Sequence, residues 1–372
     1  MVLMDLKVDN FFSFKKFHVN FSYPKKIVGN TLEPEELSYC PGFRYRKVNI
    51  LMGANATGKT TLGLFLNAIF TFISDKNATT LMNHVANPNR AAYFTVEFVG
   101  DKHVLYRLNC QILGKNGDKY TSDDVRAIVV STQITKDDTY DKCRSRLNSL
   151  EASGFPGDYI RELEKIESLS WCFEYPLDIS NVFFAPEDEA VFLKVANNVM
   201  KALDPAIDVV EKLEGINKGY VIRAEYGEVV LKSGEKFDSK KLSSGTKAGI
   251  GVASIITSII SSHYGFYYCD EKFSYIDSEI EKAVLAVMIG KLRQDEQLFF
   301  TTHNIEILDL DLPKHAYTFM KKDSSDTYAI TCINAAELIK RNTDSLRKAV
   351  ENDLFSSLPS VELIYNMESL EG

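Results

Sequence analysis

Apolar residues along the chain come in short runs that stop abruptly on polar ones. "KVNILM" (47–52) has the pattern of a buried strand and runs straight into glycine; "GFYYCDE" (265–271) stops on two acids, and "LFFTTH" (298–303) on histidine. "TTLGLFLNAIFTFIS" (60–74) is apolar on most faces and predicts a core helix. "GIGVASIITSII" (249–260) predicts a second buried helix, because a bilayer span needs about 20 apolar residues. "KVDNFFSFKKFHVNFS" (7–22) alternates loosely and predicts paired strands. "AAYFTVEFVGDKHVLYRLNCQIL" (91–113) predicts antiparallel strands and "YVIRAEYGEVVLKSG" (220–234) a hairpin. "TLEPEELSYCPGFRYR" (31–46), with two prolines, reads as a loop insertion. Residues 135–213 read as mostly helical and charged, and "DDTYDKCRSRLNSLEASGFPGDYIRELEKIESL" (137–169) as a short projecting helical pair or a solvated helical face. From 265 onward buried strands alternate with helices, as a parallel sheet requires. The expected fold class is therefore α/β: a lobe with a mixed or parallel sheet from 1–134 and 265–372, and an inserted helical lobe from 135–264.

Composition changes this picture little. With 372 residues and 45% hydrophobic content the chain can bury a large core, as one big domain or two lobes. The net charge of −8 gives no global basic excess for nucleic acid, although "RYRK" (44–47) and "KSGEKFDSKK" (232–241) are local clusters. None of the six cysteines has C-x-x-C spacing, which argues against zinc. The start "MVLMDLKVDNFFSF" lacks signal-peptide character, and a reducing cytoplasm is expected.

The chemistry begins at "GANATGKTT" (53–61), a G-x-x-x-x-G-K-T loop between strand and helix. Gly53 and Gly58 let the N–H groups of Asn55, Ala56 and Thr57 turn toward phosphate oxygens, and the helix N-terminus adds partial positive charge. Lys59 can reach the β- and γ-phosphates, and the Thr60 hydroxyl, followed by Thr61, can ligate magnesium. Asp270 at a strand end suits Mg²⁺, Glu271 suits a base for attacking water, and His303 could hold the nucleophile or sense the leaving phosphate. The same three strand ends converge on one crevice in an open parallel sheet. "KLSSGTKAG" (241–249) leads into the second buried helix, and a serine-glycine turn at a helix N-terminus makes a second anion site.

These motifs resemble those of ABC-class ATPases. Leu242-Ser243-Ser244-Gly245-Thr246 is similar to the Leu-Ser-Gly-Gly-Gln signature, with the middle glycine and the glutamine replaced. "DEKFSYID" resembles a Walker B segment and D-loop, with Asp270, Glu271 and Asp277, and His303 resembles the switch histidine. The nearest likeness is to the soluble SMC/RecF/OLD branch, in particular the short AAA-type ATPases of prokaryotic anti-phage defence operons. It rests on residues 10–17, Ser-Ser-Gly-Thr at 243–246, "FTTH" at 300–303 and the tail "NTDSLRKAVENDLFSSLP". Lys272 departs from that family, which often has an apolar residue there. Gln133 fits the magnesium-sensing glutamine by order along the chain and also reads as an ordinary loop residue.

The resemblance implies an ABC-ATPase head that binds and hydrolyses ATP with Mg²⁺. Two copies would share each nucleotide, with Lys59 in cis and Ser243 and Gly245 in trans. It further implies a homodimer or higher homo-oligomer gating a separately encoded effector, a nuclease or toxin, in antiviral defence. No long heptad tract separates the lobes and no acidic nuclease block follows His303. The rival reading is a RecF- or SMC-like ATP-dependent clamp with DNA as partner, acting in repair. A transporter subunit is disfavoured by the lack of a membrane-facing apolar surface. A scaffold with negligible turnover is disfavoured by the presence of both Asp270 and Glu271.

Overall fold

The apolar runs that end on chemistry lie side by side. The computed structural model describes residues 1–23, 31–115, 117, 119–150, 154–175, 182–271, 273–322, 329–341 and 344–356. Its six-stranded sheet runs, in order, Ile330–Asn334, Tyr317–Lys322, Val48–Met52, Gln297–Thr301, Phe266–Asp270 and Trp171–Glu174. All neighbours are parallel except the first pair. Every residue of Val48–Met52, Gln297–Thr301 and Phe266–Asp270 is buried, as strands covered on both faces must be. Thr301 pairs with both Leu51 and Asp270, so the three strands finish level.

One face of this sheet is covered by the helix Lys59–Asp75. Beyond the helix lies a five-stranded antiparallel sheet of Phe17–Asn20, Val2–Asp9, Ala92–Val99, Val104–Ile112 and Val125–Gln133. The helix is apolar on most faces because it is a filling between two sheets. Phe70 meets Phe266 of the parallel sheet (ring centroids 5.2 Å apart), while Phe65 meets Phe94 of the antiparallel one (5.8 Å). The other face of the parallel sheet packs under Ser244–Ile260 and Ser278–Lys291, through Ile255, Ile259, Leu285 and Met288 against Tyr267, Cys269 and Phe300.

A buried side chain, Gln297, helps join the two sheets at their margin. Gln297 accepts the Leu3 N–H (2.8 Å) and donates to the carbonyls of Leu3 (3.1 Å) and Arg46 (2.9 Å). Leu3 stands at a register shift in the pairing of Val2–Asp9 with Ala92–Val99, where the regular ladder is interrupted. The glutamine amide supplies what the ladder does not.

The section from 135 to 264 is less helical than expected. Tyr140–Leu150 and Tyr159–Leu163 are helices, but they do not project. Cys143 and Leu147 are buried in a cluster with Val130, and the Glu162 carboxylate accepts the Val129 N–H (2.9 Å). Trp171–Glu174 is an edge strand of the parallel sheet. The helices Glu189–Leu203 and Ser244–Ile260 share a core with a three-stranded sheet, Ile207–Lys212, Gly219–Ala224 and Gly227–Lys232, around Phe192, Tyr220 and Ile250. The expected hairpin is its second and third strands. "IDVVEK", which has only three apolar residues among charges, hid the first. Within 31–46, Glu36–Leu37 pairs with Cys40–Arg44, so that loop carries a short ladder of its own.

Gln297→Met keeps the volume at position 297 and removes all three hydrogen bonds. It should lower unfolding free energy by about 2–4 kcal/mol, since buried backbone groups lose their partners. Urea denaturation checks this: the midpoint falls while the slope stays unchanged.

Candidate functional site

The loop after Val48–Met52 has the backbone a phosphate cradle needs. Gly53, Ala56 and Gly58 have φ of 151°, 63° and 98°. A Cβ on Gly53 would stand 2.3 Å from the Met320 carbonyl oxygen, so no side chain fits. Asn55 and Ala56 are exposed, whereas Thr57 is buried with its hydroxyl donating to the Ala54 carbonyl (2.8 Å). The helix Lys59–Asp75 has neither a side-chain cap nor an acid in its first turn, which holds Lys59, Thr60 and Thr61. Its uncapped N–H groups leave the positive end of the dipole for an anion.

Lys59 is folded back on this loop. Its Nζ donates to the carbonyls of Gly53 (2.8 Å) and Ala54 (3.1 Å) and pairs with Glu271 Oε1 at 3.1 Å. Glu271 has a φ of 36°, a left-handed conformation at the end of its strand. Its N–H donates to Thr301 Oγ1 (2.8 Å), and the same hydroxyl donates to Asp270 Oδ1 (2.7 Å). One threonine thus orients both acids, in a strand that motif reading valued for its histidine.

Asp270 is fully buried, and its Oδ2 has no hydrogen-bond partner. Burial raises its carboxyl pKa, opposed by the Thr301 and Thr60 hydroxyls, with the Glu271 charge raising it further and Lys59 lowering it. A buried carboxylate with one oxygen free of hydrogen bonds, close enough to the Thr60 hydroxyl for it to lower the pKa, fits a hard divalent cation such as Mg²⁺.

Two tyrosines also shape the site, and motif reading passed over both. Tyr268 is fully buried beneath the helix and donates to the Lys59 carbonyl (2.7 Å). Tyr175 follows the edge strand, where Cys269 pairs with Glu174, so it comes level with Asp270. Its hydroxyl donates to the Gly63 carbonyl (3.3 Å), and burial, then the Asp270 charge, raise its pKa. Only the register of Trp171–Glu174, invisible in the sequence, places Tyr175 there.

Gln133 is not brought to this group. Its amide donates to the carbonyls of Lys102 (3.0 Å) and His103 (3.2 Å) at the turn before Val104–Ile112. His103 lines one cavity with Gly265, the residue before Phe266–Asp270. Gln133 therefore stands near the edge where the parallel strands begin, opposite to Asp270. Order along the chain was a poor guide because the strand carrying Gln133 belongs to the other sheet.

The second glycine turn is built as a helix cap. Ser243 Oγ accepts the Thr246 N–H (3.1 Å) and bonds the Thr246 hydroxyl (2.7 Å), while Ser243 and Ser244 stay exposed. A Cβ on Gly245 would stand 2.8 Å from the Tyr275 carbonyl, so this turn abuts the one after Glu271. Asp277 is exposed and caps Ser278–Lys291 by accepting the Glu279 N–H (2.9 Å). His303 is exposed just beyond Gln297–Thr301. Lys272 lies outside the described residues.

Solved structures share this fold. An Smc head bound to the C-terminal winged-helix domain of ScpA superposes with a TM-score of 0.52 at 12% identity, covering 91% of this chain and 100% of that one. A Pyrococcus furiosus Smc head with an extended coiled coil, bound to the C-terminal domain of ScpA, gives 0.52 at 11%, covering 91% and 98%. The fold is that of SMC head domains. No family model and no curated protein matches the sequence. No helix among the described residues is long and apolar enough to cross a membrane.

Because burial raises the Asp270 pKa above its ordinary 3.8, the folded state holds this proton more tightly than the unfolded one. The cost of ionising it grows as pH rises through the raised pKa. Asp270→Asn should therefore melt at higher temperature than the parent at neutral pH in EDTA, and the gap should close below the ordinary carboxylate range. Melting curves across pH check the sign.

Proposed function

We propose that the protein is an ATPase of the ABC type that binds Mg-ATP at residues 53–61, dimerises around it and gates a separately encoded partner. One observation carries this reading: Lys59, Glu271, Asp270 and Thr301 form a single bonded group at the C-terminal edge of a parallel sheet. Such convergence is what phosphoryl transfer to water requires, since catalysis there is mostly positioning and charge stabilisation.

In this reading Lys59 exchanges the carbonyls of Gly53 and Ala54 for phosphate oxygens. Glu271, released from Lys59, orients water and takes its proton. Magnesium, when bound, neutralises phosphate charge; Thr60 and Asp270 would hold it. Ser243 and Gly245 act on the nucleotide of a second copy, so ATP favours the paired state by differential affinity and hydrolysis relaxes it. Asp277 sits beside that contact and His303 faces the terminal phosphate.

The two Smc heads above each hold a domain of a partner protein, which supports a protein effector here. The defence role, a nuclease or toxin as effector, and a cytoplasmic setting rest on the likeness of motifs. The same likeness of fold is also compatible with a second reading, an SMC- or RecF-like clamp that closes on DNA, without favouring it over the first. Its binding would weaken steeply with salt.

Glu271→Gln should trap ATP and elute as a dimer by light scattering with Mg-ATP, and as a smaller species without it. Adding Ser243→Arg should abolish the dimer while nucleotide affinity persists. A trapped protein that stays monomeric at every concentration would defeat the shared site. In the same protein Lys59→Ala should weaken nucleotide binding at least about tenfold, the loss of a buried charge-assisted contact.

A further inference from the structure

Glu281 lies on Ser278–Lys291, one turn after Asp277, and is 4% exposed. Both its carboxylate oxygens are used, and by the two neighbours of one residue. Thr302 Oγ1 donates to Glu281 Oε1 (2.8 Å), and Asn304 Nδ2 donates to Oε2 (2.7 Å). The residue between them is His303. The bracket is closed on itself: Thr302 Oγ1 also accepts the Asn304 N–H (3.0 Å), and Asn304 Oδ1 caps the following turn by accepting the Glu306 N–H (2.9 Å). On the other side, Thr302 N–H donates to the Leu51 carbonyl (3.1 Å), beside the phosphate loop. The Glu281 N–H in turn donates to the Asp277 carbonyl (2.9 Å).

A buried carboxylate is costly unless its oxygens are satisfied. Burial raises the Glu281 pKa, and the Asn304 amide, the Thr302 hydroxyl and the His303 charge oppose that rise. An apolar residue would fill the same space without this cost. What the carboxylate adds is a fixed position for the residues on either side of an exposed histidine.

We propose that Glu281 is a positioning residue for His303: its two oxygens clamp the residues on either side of the histidine and tie that loop to the Asp277 turn. The histidine's place therefore depends on the turn that lies against the Gly245 loop. The proposal rests on the ATPase reading but makes a claim about the nucleotide-free protein as well.

The experiment compares the full chain with Glu281→Ala, Glu281→Gln and His303→Ala. Without nucleotide, amide exchange at residues 302–306 should speed up in Glu281→Ala and stay unchanged elsewhere in the sheet. With Mg-ATP, turnover should fall by about 10–100-fold, the range for a misplaced group, while ATP affinity holds. The double variant Glu281→Ala with His303→Ala should be no slower than the slower single one. Glu281→Gln keeps the volume but offers one acceptor, so it should fall between; it also serves if the alanine variant does not fold. Unchanged exchange, or losses that multiply in the double variant, overturns the proposal. Absence of turnover in the parent instead overturns the ATPase reading and, with it, the role of His303.

Discussion

The site depends on one close contact between a helix and a strand. A Cβ on Gly63 would stand 2.6 Å from the Tyr268 ring, so helix and strand approach as closely as a bare backbone allows. The Tyr268 hydroxyl then reaches the Lys59 carbonyl. This seat sets the height of the helix that carries Lys59 and Thr60 over the strand that carries Asp270. A larger residue at 63 would lift the helix and separate groups that must act within hydrogen-bond reach. Rigid placement of this kind is how a sheet scaffold supports electrostatic catalysis.

Around that seat, charge is kept in balance by exchange of partners. Lys59 rests on two carbonyls and Glu271, and Thr301 joins Glu271 to Asp270. Asp270 Oδ2, buried and without a hydrogen bond, is left free for a cation. In the resting arrangement the Glu271 carboxylate is held by the Lys59 ammonium.

Much of this was legible in the sequence, for physical reasons. Runs such as "NILM", "FYYCD" and "LFFTT" are apolar because both faces of their sheet are covered, and they stop where they meet solvent. Gly53 is legible because no side chain fits beside the Met320 carbonyl, and Gly58 because its φ of 98° favours glycine. What stayed hidden depends on register or on packing between distant segments. Tyr175 is beside Asp270 only because an edge strand pairs in one register. Gln133 looked right by order and belongs to the other sheet. The helical reading of 135–264 missed strands whose charged residues mark exposed faces. Glu281 reads as any acid in a helix until its two acceptors are counted.

Gln297 holds Leu3 and Arg46 together across 294 and 251 residues of sequence. Closing such a wide span is slow, because loop entropy is lost before the contact repays it. During synthesis the strand Val2–Asp9 must wait for the segment around residue 297 before its margin is sealed. Until then the backbone N–H and carbonyl of Leu3 lack the partner that Gln297 gives them.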